Sequence, residues 1–440
     1  MLSREDNLRI CCVGPESPMG QTMRRFWIPV LSAYQLPTPD CDPVRVEILG
    51  EKLVAFRDTR GAVGILDEHC CHRSASLVLG RVEECGIRCL FHGWKFAVDG
   101  TVLDTPNVSN PAFKNRFKAR AYPVREAGGL IWTYIGPKEL EPAFPHWNYF
   151  DYPPERRLSV TFMVPANYVQ VQEALLDSSH LTILHQDAFR RQAKGDIDFV
   201  ANVINATAQA DPKVEAEATD FGFHYVALRE ISTDAGEKTE ARITSYVAPF
   251  HILNANGDFV GIIVPIDDQR TLHHFVWWSD TKDIALEPLA SAQLEFVGLD
   301  ESTLHRAGLH PATWHEPGKP TVHNNFLQDR CALRQGSWTG LPTFFPEDSA
   351  IMASMGPIRD RSKERLAPCD AAVAQLYRTL LSMTRQVQQG ESPLGLNIDP
   401  GKVRGLHGVV PETRPWQSLV PDHIALKSGQ PSAKPMTSGV

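Results

Sequence analysis

Two short runs decide the reading of this chain: Glu68-His-Cys-Cys-His-Arg73 and Cys89-Leu-Phe-His-Gly-Trp94. Cys70-x-His72 is followed, sixteen residues on, by Cys89-x-x-His92. Each run offers one thiolate and one imidazole at the tip of a turn. Two such loops facing each other can hold two irons and two bridging sulfides, with the thiolates on one iron and the imidazoles on the other. Exchanging two thiolates for neutral imidazoles removes negative charge and raises the reduction potential, which suits a site that takes up an electron and passes it on. The same residue types build Cys2His2 zinc sites, and two ordinary buried cysteines beside surface histidines are the plainest alternative. The spacing favours the iron–sulfur cluster. On that reading Cys71 points away from the cluster and Cys85 is a free thiol in the intervening hairpin. Trp94 packs over the cluster or in the core.

Around these runs lies a chain of globular composition. It has 440 residues, 42% apolar and 22% charged, enough for two to three domains and a sizeable core. With 44 basic and 52 acidic side chains the net charge is -8, which argues against a phosphate-binding face for nucleic acid. No apolar run approaches the ~20 residues that span a bilayer, so no membrane segment is expected. Met1-Leu-Ser-Arg-Glu-Asp6 lacks the basic-then-apolar pattern of a signal peptide. The nine cysteines are an odd number without a compact framework, which fits a reducing cytoplasm.

The patterning changes along the chain. Val44–Leu49, Leu53–Phe56 and Val63–Leu66 are short apolar runs separated by turns such as Asp58-Thr-Arg-Gly61, and Val98-Asp-Gly100 signals another hairpin. An antiparallel β domain is expected over the first ~140 residues. The proline-rich stretch Pro137–Pro154 reads as a linker. Beyond it, Asn167 to Leu184 reads as a helix capped by Asn167. A meander of about five strands is expected between Phe199 and Trp278, broken at Asp234-Ala-Gly236, Asn254–Gly257 and Asp267-Asp268. Asp370 to Gln388 reads as an amphipathic helix on the sheet, and the last ~30 residues as an irregular tail. The second domain is thus α+β, an antiparallel sheet with flanking helices. Gly395-Leu-Asn-Ile-Asp-Pro-Gly-Lys402 has the wrong gap for a phosphate loop, with Val403 where a hydroxyl is needed.

Arg25-Phe-Trp-Ile-Pro-Val30, Val54-Ala-Phe-Arg-Asp58, the cluster motif and Gly93-Trp-Lys-Phe96 resemble the Rieske non-haem iron oxygenases, large-subunit type, and within them the phthalate 4,5-dioxygenase group. That group usually has proline and glycine where this chain has Cys71 and Ser74; both positions lie outside the ligand set. The resemblance implies an all-β Rieske [2Fe-2S] domain over 26–140, after an N-terminal segment 1–25. It further implies a helix-grip catalytic domain with a mononuclear Fe(II) over 141–390, and a tail over 391–440.

A second polar constellation lies in Gln170-Val-Gln-Glu-Ala-Leu-Leu-Asp-Ser-Ser-His-Leu-Thr-Ile-Leu-His185. On an ideal helix Gln170, Glu173, Asp177 and His180 form one polar stripe, costly to bury unless something satisfies it. His180 and His185 sit about 140° apart on such a helix. Binding one metal together requires a π-bulge or a helix end, expected at Leu181–Leu184. A solvated helix face is the alternative. Two imidazoles and a carboxylate make the facial triad of non-haem iron oxygenases, and Asp177-x2-His180-x4-His185 matches the family's catalytic motif. By resemblance the third ligand precedes Ser354-Met-Gly-Pro and maps to Asp348, with Glu347 its easily confused neighbour. Both acids would also suit the first turn of a helix after Pro346. Asp177 is implied to bridge a histidine ligand of the iron to a cluster histidine of the neighbouring subunit, which calls for a ring, most simply a homotrimer, single or stacked. Gln170 and Glu173 join that network or are plain helix polarity.

The group acts mainly on aromatic acids and their ethers, and a carboxylate is best met by arginine. Arg242 resembles the group's substrate arginine, and Lys213 roughly matches the place of a second cation; ordinary sheet-edge charge is the alternative for both. Phe344-Phe345 and Trp277-Trp278 either line an aromatic pocket or pack the core. No dinucleotide fingerprint or second cluster motif is present, so electrons must come from a separate NADH-fed reductase. The implied reaction uses O2 to dihydroxylate an aromatic carboxylate, or alternatively to hydroxylate or O-demethylate an aromatic acid or ether. A Rieske electron-transfer protein without oxygenase activity and a zinc-bearing scaffold are the competing classes.

Overall fold

The computed structural model describes residues 2–190, 211–233, 236–255, 258–411 and 414–421. Outside these lie 199–210 at the start of the expected meander, 234–235 and 256–257 in two of the expected breaks, and 412–413 and 422–440 of the tail. Residues from Ile28 to Thr133 form three small antiparallel sheets. One pairs Ile28–Ser32 with Leu130–Thr133 and Val124–Ala127. A second joins Val44–Ile48, Glu51–Arg57, Val63–Asp67 and Ala121–Tyr122. The third, Arg81–Glu83, Gly86–Arg88, Lys95–Phe96 and Val102–Asp104, carries the second cysteine loop between its middle strands. Around the loops Val54, Phe56, Leu66, Leu77, Ile87, Trp94 and Phe96 bury into a core of their own, separate from the main core.

The second domain is built on an eight-stranded antiparallel sheet. Its order is Arg157–Val164, Thr271–Trp278, Phe259–Pro265, His251–Leu253, Gly236–Val247, Gly222–Thr233 and Lys213–Ala218, with Leu406–Val409 also on Gly236–Val247. Among the described residues six strands lie between Lys213 and Trp278, where about five were expected from Phe199 onward. Phe259–Pro265 and Thr271–Trp278 are buried on both faces. Helix Ala371–Gln388 covers the sheet as its pattern implied. The proline-rich stretch is not a loose linker. Trp147 and Tyr149 are buried, and Trp147 stacks on His251 at 4.0 Å.

The helix expected over Asn167–Leu184 is two helices. Asn167 caps the first, Tyr168–Leu176, with its side chain accepting from Val169 N–H. That helix stops because Asp177 Oδ1 takes the Ser179 N–H at 2.7 Å and its hydroxyl at 2.6 Å, a local bond that competes with the helical ladder. The second helix is His180–Leu184. Of the two expected devices it is a helix end: the helix stops at Leu184, and His185, with φ of -94° and ψ of 22°, leaves the helical region.

The polar stripe is split accordingly. Gln170 donates to the Met352 and Gly356 carbonyls and accepts from Arg359 N–H. Glu173 pairs with Arg361 at 2.5 Å and with Arg359 at 3.0 Å, and accepts from Tyr377 at 2.6 Å. Neither residue joins Asp177 and neither is solvated; they fasten the segment Pro357–Arg361 under the helix. Residues 1–25, set apart in the sequence, share this network. Arg361 donates to Asn7, and Tyr168 and Asn167 donate to the Ile10 and Cys11 carbonyls.

Candidate metal centres

The two cysteine loops are built alike. In each, the cysteine N–H bonds the carbonyl five residues on, Ala75 at 2.9 Å and Trp94 at 2.8 Å. In each, the cysteine carbonyl accepts from the residue four on, Ser74 at 2.9 Å and Gly93 at 3.0 Å. Closing the loop this way puts Ser74 and Gly93 in the left-handed region, at φ 57° and 76°, where a side chain is strained. A Cβ on Gly93 would also lie 2.6 Å from Pro106. Cys70 and Cys89 are buried and face each other. The His72 and His92 rings are 4.6 Å apart, and Trp94 stacks flat on His72 at 4.6 Å. Burial and the Cys89 sulfur push the Cys70 thiol up to about 11. The paired thiols and paired imidazoles fit a cluster with thiolates on one iron and imidazoles on the other. Cys71 is exposed, and Cys85 sits in the hairpin turn. Glu68 holds the base of the first loop, accepting from Ser76 at 2.6 Å and from Arg45 at 3.0 and 3.2 Å.

The second centre joins the short helix His180–Leu184 to helix Phe345–Ser354. The Nε2 atoms of His180 and His185 stand 3.6 and 3.3 Å from Asp348 Oδ1. All three donors lie within 4.8 Å of one another. His185 is fully buried, yet its Nε2 has no hydrogen-bond partner. A buried orphan of that kind is costly, and a metal ion between the three donors satisfies it, so the residues fit the facial triad.

The far sides of both rings are held. His185 Nδ1 meets Glu347 Oε2 at 2.9 Å, and Glu347 Oε1 accepts from Thr339 at 2.7 Å. His180 Nδ1 meets Asp177 Oδ2 at 3.3 Å. Burial alone would raise the Asp177 carboxyl, but His180 and the Ser179 donors hold it down at about 2. Phe344, at φ 51°, stacks on His185 at 4.2 Å and 5°.

Beside the triad is a pocket, which His180 and Asp348 help to line. Leu175, Phe259, Phe275, Phe344 and Phe345 supply its apolar walls, and Tyr225, Arg242, Thr244 and Asn254 its polar groups. Tyr225 pairs with Thr244, and Ala227 with Arg242, across two antiparallel strands, so these side chains share the face turned to the metal. Burial pulls the Arg242 guanidinium down to about 10, the Glu240 carboxylate offsetting part of the shift. Lys213 is elsewhere. It is exposed at the outer strand, paired with Glu215 at 2.8 Å, and does not line the pocket. Trp277 and Trp278 are core residues, Trp278 stacking on Tyr149. The sequence reading missed the polar contribution of Tyr225, Thr244 and Asn254; for Thr244, two residues from Arg242 on one strand, period-two alternation was the available signal.

Residues 26–123 match the Rieske [2Fe-2S] domain, and residues 133–433 match a family described as LigXa C-terminal domain like. The chain belongs to the Rieske oxygenases. It is 36% identical to the phthalate 4,5-dioxygenase oxygenase subunit of Pseudomonas putida over 95% of this chain and 94% of that one. It is 32% identical to the 3-chlorobenzoate-3,4-dioxygenase oxygenase subunit of Comamonas testosteroni over 90% and 92%. The fold also matches dicamba monooxygenase bound to 3,6-dichlorosalicylic acid, with a TM-score of 0.54 at 17% identity, covering 84% of this chain and 99% of that one. This Rieske oxygenase is therefore an oxidoreductase with a [2Fe-2S] domain and a catalytic domain of the kind that carries mononuclear iron. Among the described residues no helix is long and apolar enough to cross a membrane.

Proposed function

We propose that this chain is the oxygenase component of a system that oxidises an aromatic monocarboxylate. Cys70, His72, Cys89 and His92 hold the cluster; His180, His185 and Asp348 hold the iron. When bound, the ferrous ion supplies the centre at which dioxygen is activated with electrons from the cluster. One observation carries the substrate class: among the described residues one buried arginine cation, Arg242, lines a phenylalanine-walled pocket together with His180 and Asp348. Arginine can grip a carboxylate at two points, and the walls hold a ring flat between it and the triad. Since Lys213 stands outside the pocket, a monocarboxylate such as a substituted benzoate suits the site better than a dicarboxylate. Tyr225, Thr244 and Asn254 offer hydrogen bonds to ring substituents.

The electron source is a separate NADH-dependent reductase. Among the described residues none of the cluster lobe lines the pocket, which supports delivery from a neighbouring copy in a homotrimeric ring. Asp177, half-buried, orients His180 and leaves a carboxylate edge for that neighbour's cluster histidine. Exposed Leu90 and Phe91 on the cluster loop, and Ile183 beside the metal histidines, suit such a contact. The expected outcome is addition of both oxygen atoms to the ring. Benzoates and methoxybenzoates are turned over with a reductase under labelled dioxygen and the products weighed. Two labelled atoms support dihydroxylation; formaldehyde release or a single atom replaces it with monooxygenation, and no turnover of any carboxylate refutes the substrate class.

A further inference from the structure

Away from the pocket, three more ligating side chains converge. Glu301 and His305 are one turn apart on helix Glu301–Ala307 and so share a side. Gly308, at φ 70°, ends that helix in a left-handed cap, and His310 returns over its last turn. The His305 and His310 rings stack at 4.1 Å and 17°. Their Nε2 atoms meet the same oxygen, Glu301 Oε1, at 3.0 and 3.3 Å. Two donors bound about 2.1 Å from one ion, at right or tetrahedral angles, lie roughly 3.0–3.4 Å apart. Each imidazole nitrogen thus stands from the shared oxygen at the spacing of neighbouring metal ligands, as the donors of the iron site do at 3.3 and 3.6 Å, and all three donors lie within 4.8 Å of one another.

We propose that Glu301, His305 and His310 bind a zinc ion. On His305, Nδ1 meets the Thr313 hydroxyl at 2.8 Å; a hydroxyl can accept from Nδ1–H, which fixes the tautomer that presents Nε2 to a metal. On His310, Nδ1 accepts a long 3.3 Å bond from Ala312 N–H; the metal-bound tautomer gives up that contact. Two nitrogens and one oxygen leave one tetrahedral position to water, a pattern zinc accepts without redox chemistry or a strict geometry. The ion would clasp the segment Leu309–Lys319 to the helix, where Lys319 already bonds the His305 carbonyl at 2.8 Å and Glu316 at 3.3 Å.

The test uses the full chain with its iron and cluster in place. It is equilibrated with zinc sulfate against a weak competing chelator, passed through gel filtration, and assayed for zinc, iron and acid-labile sulfide. The expected result is about one zinc per chain beyond any that replaces iron, absent from the H305A/H310A double variant, whose iron and sulfide match the wild type. A wild-type protein that takes up no zinc beyond lost iron, or a double variant that holds as much as the wild type, overturns the proposal. Should the double variant not fold, E301Q replaces it. A tenfold or greater fall in zinc affinity supports the site, and unchanged affinity overturns it.

Discussion

Glu347 sits behind the metal histidine rather than in front of it, and its loss has a calculable effect. The side chain is 1% exposed, and its two oxygens are bonded, one to His185 Nδ1 at 2.9 Å and one to Thr339 at 2.7 Å. Glu347→Ala removes both partners from a site no water reaches. The His185 ring then loses the contact that fixes its tautomer and rotation. Partners of this kind are worth about 10–100-fold in metal affinity, or about 1.4–2.8 kcal/mol at about 1.4 kcal/mol per tenfold. Two buried groups left unsatisfied add a folding cost of about 1–3 kcal/mol each. Glu347→Gln keeps an oxygen for His185 and can turn its amide to the Thr339 hydroxyl, so its loss of iron affinity stays under about tenfold if orientation dominates. The assay is competition with a ferrous chelator, with the cluster absorbance as an internal control. Iron held as tightly by the alanine variant as by wild type refutes the reasoning. A glutamine variant as poor as alanine would mean that charge, not orientation, is what Glu347 supplies.

Arg242→Met removes a charge-assisted contact worth about 2–4 kcal/mol and lowers kcat/KM for a benzoate about 30–1000-fold; Lys213→Ala changes it less than about twofold, and steady-state kinetics on both variants checks the pair. Asp177→Asn keeps full iron and sulfide but slows oxidation of the reduced cluster by dioxygen and substrate, read by stopped flow; an unchanged rate removes Asp177 from the path. Ser74→Gly relieves a left-handed side chain at φ 57° and stabilises the cluster loop by about 1 kcal/mol, seen as slower cluster loss on warming. Burial raises the Glu68 carboxyl, but Arg45 and Ser76 outweigh it and hold the group below its usual 4.5. A depressed carboxyl contributes stability that is present above about pH 4.5 and lost as pH falls through the folded value. Acid loss of the cluster over that range is therefore expected to weaken in Glu68→Gln, and a profile identical to wild type counts against it.

Much of the site was legible because ligand spacing is a local property. Cys70-x-His72 and Cys89-x-x-His92 lie on two matched turns, and His180, His185 and Asp348 meet. The rest depended on tertiary partners. The stripe Gln170–Glu173–Asp177 has helical spacing, but Arg359, Arg361 and Tyr377 claim Glu173 from nearly two hundred residues away. Asp-Ser-Ser at 177–179 carried a turn signal that ends the helix early, and apolar periodicity outvoted it. Lys213 fell outside the pocket because its strand is the last in the sheet order, a placement no local pattern reports.

The bond between Arg361 and Asn7 closes a loop of 354 residues. The Rieske domain is thus threaded between two stretches of polypeptide that end up side by side. No single backbone cut can release it intact. During synthesis Ile10 and Cys11, both wholly buried at completion, lack part of their cover until Arg361 and helix Ala371–Gln388, which packs on Arg4–Cys11, have been made.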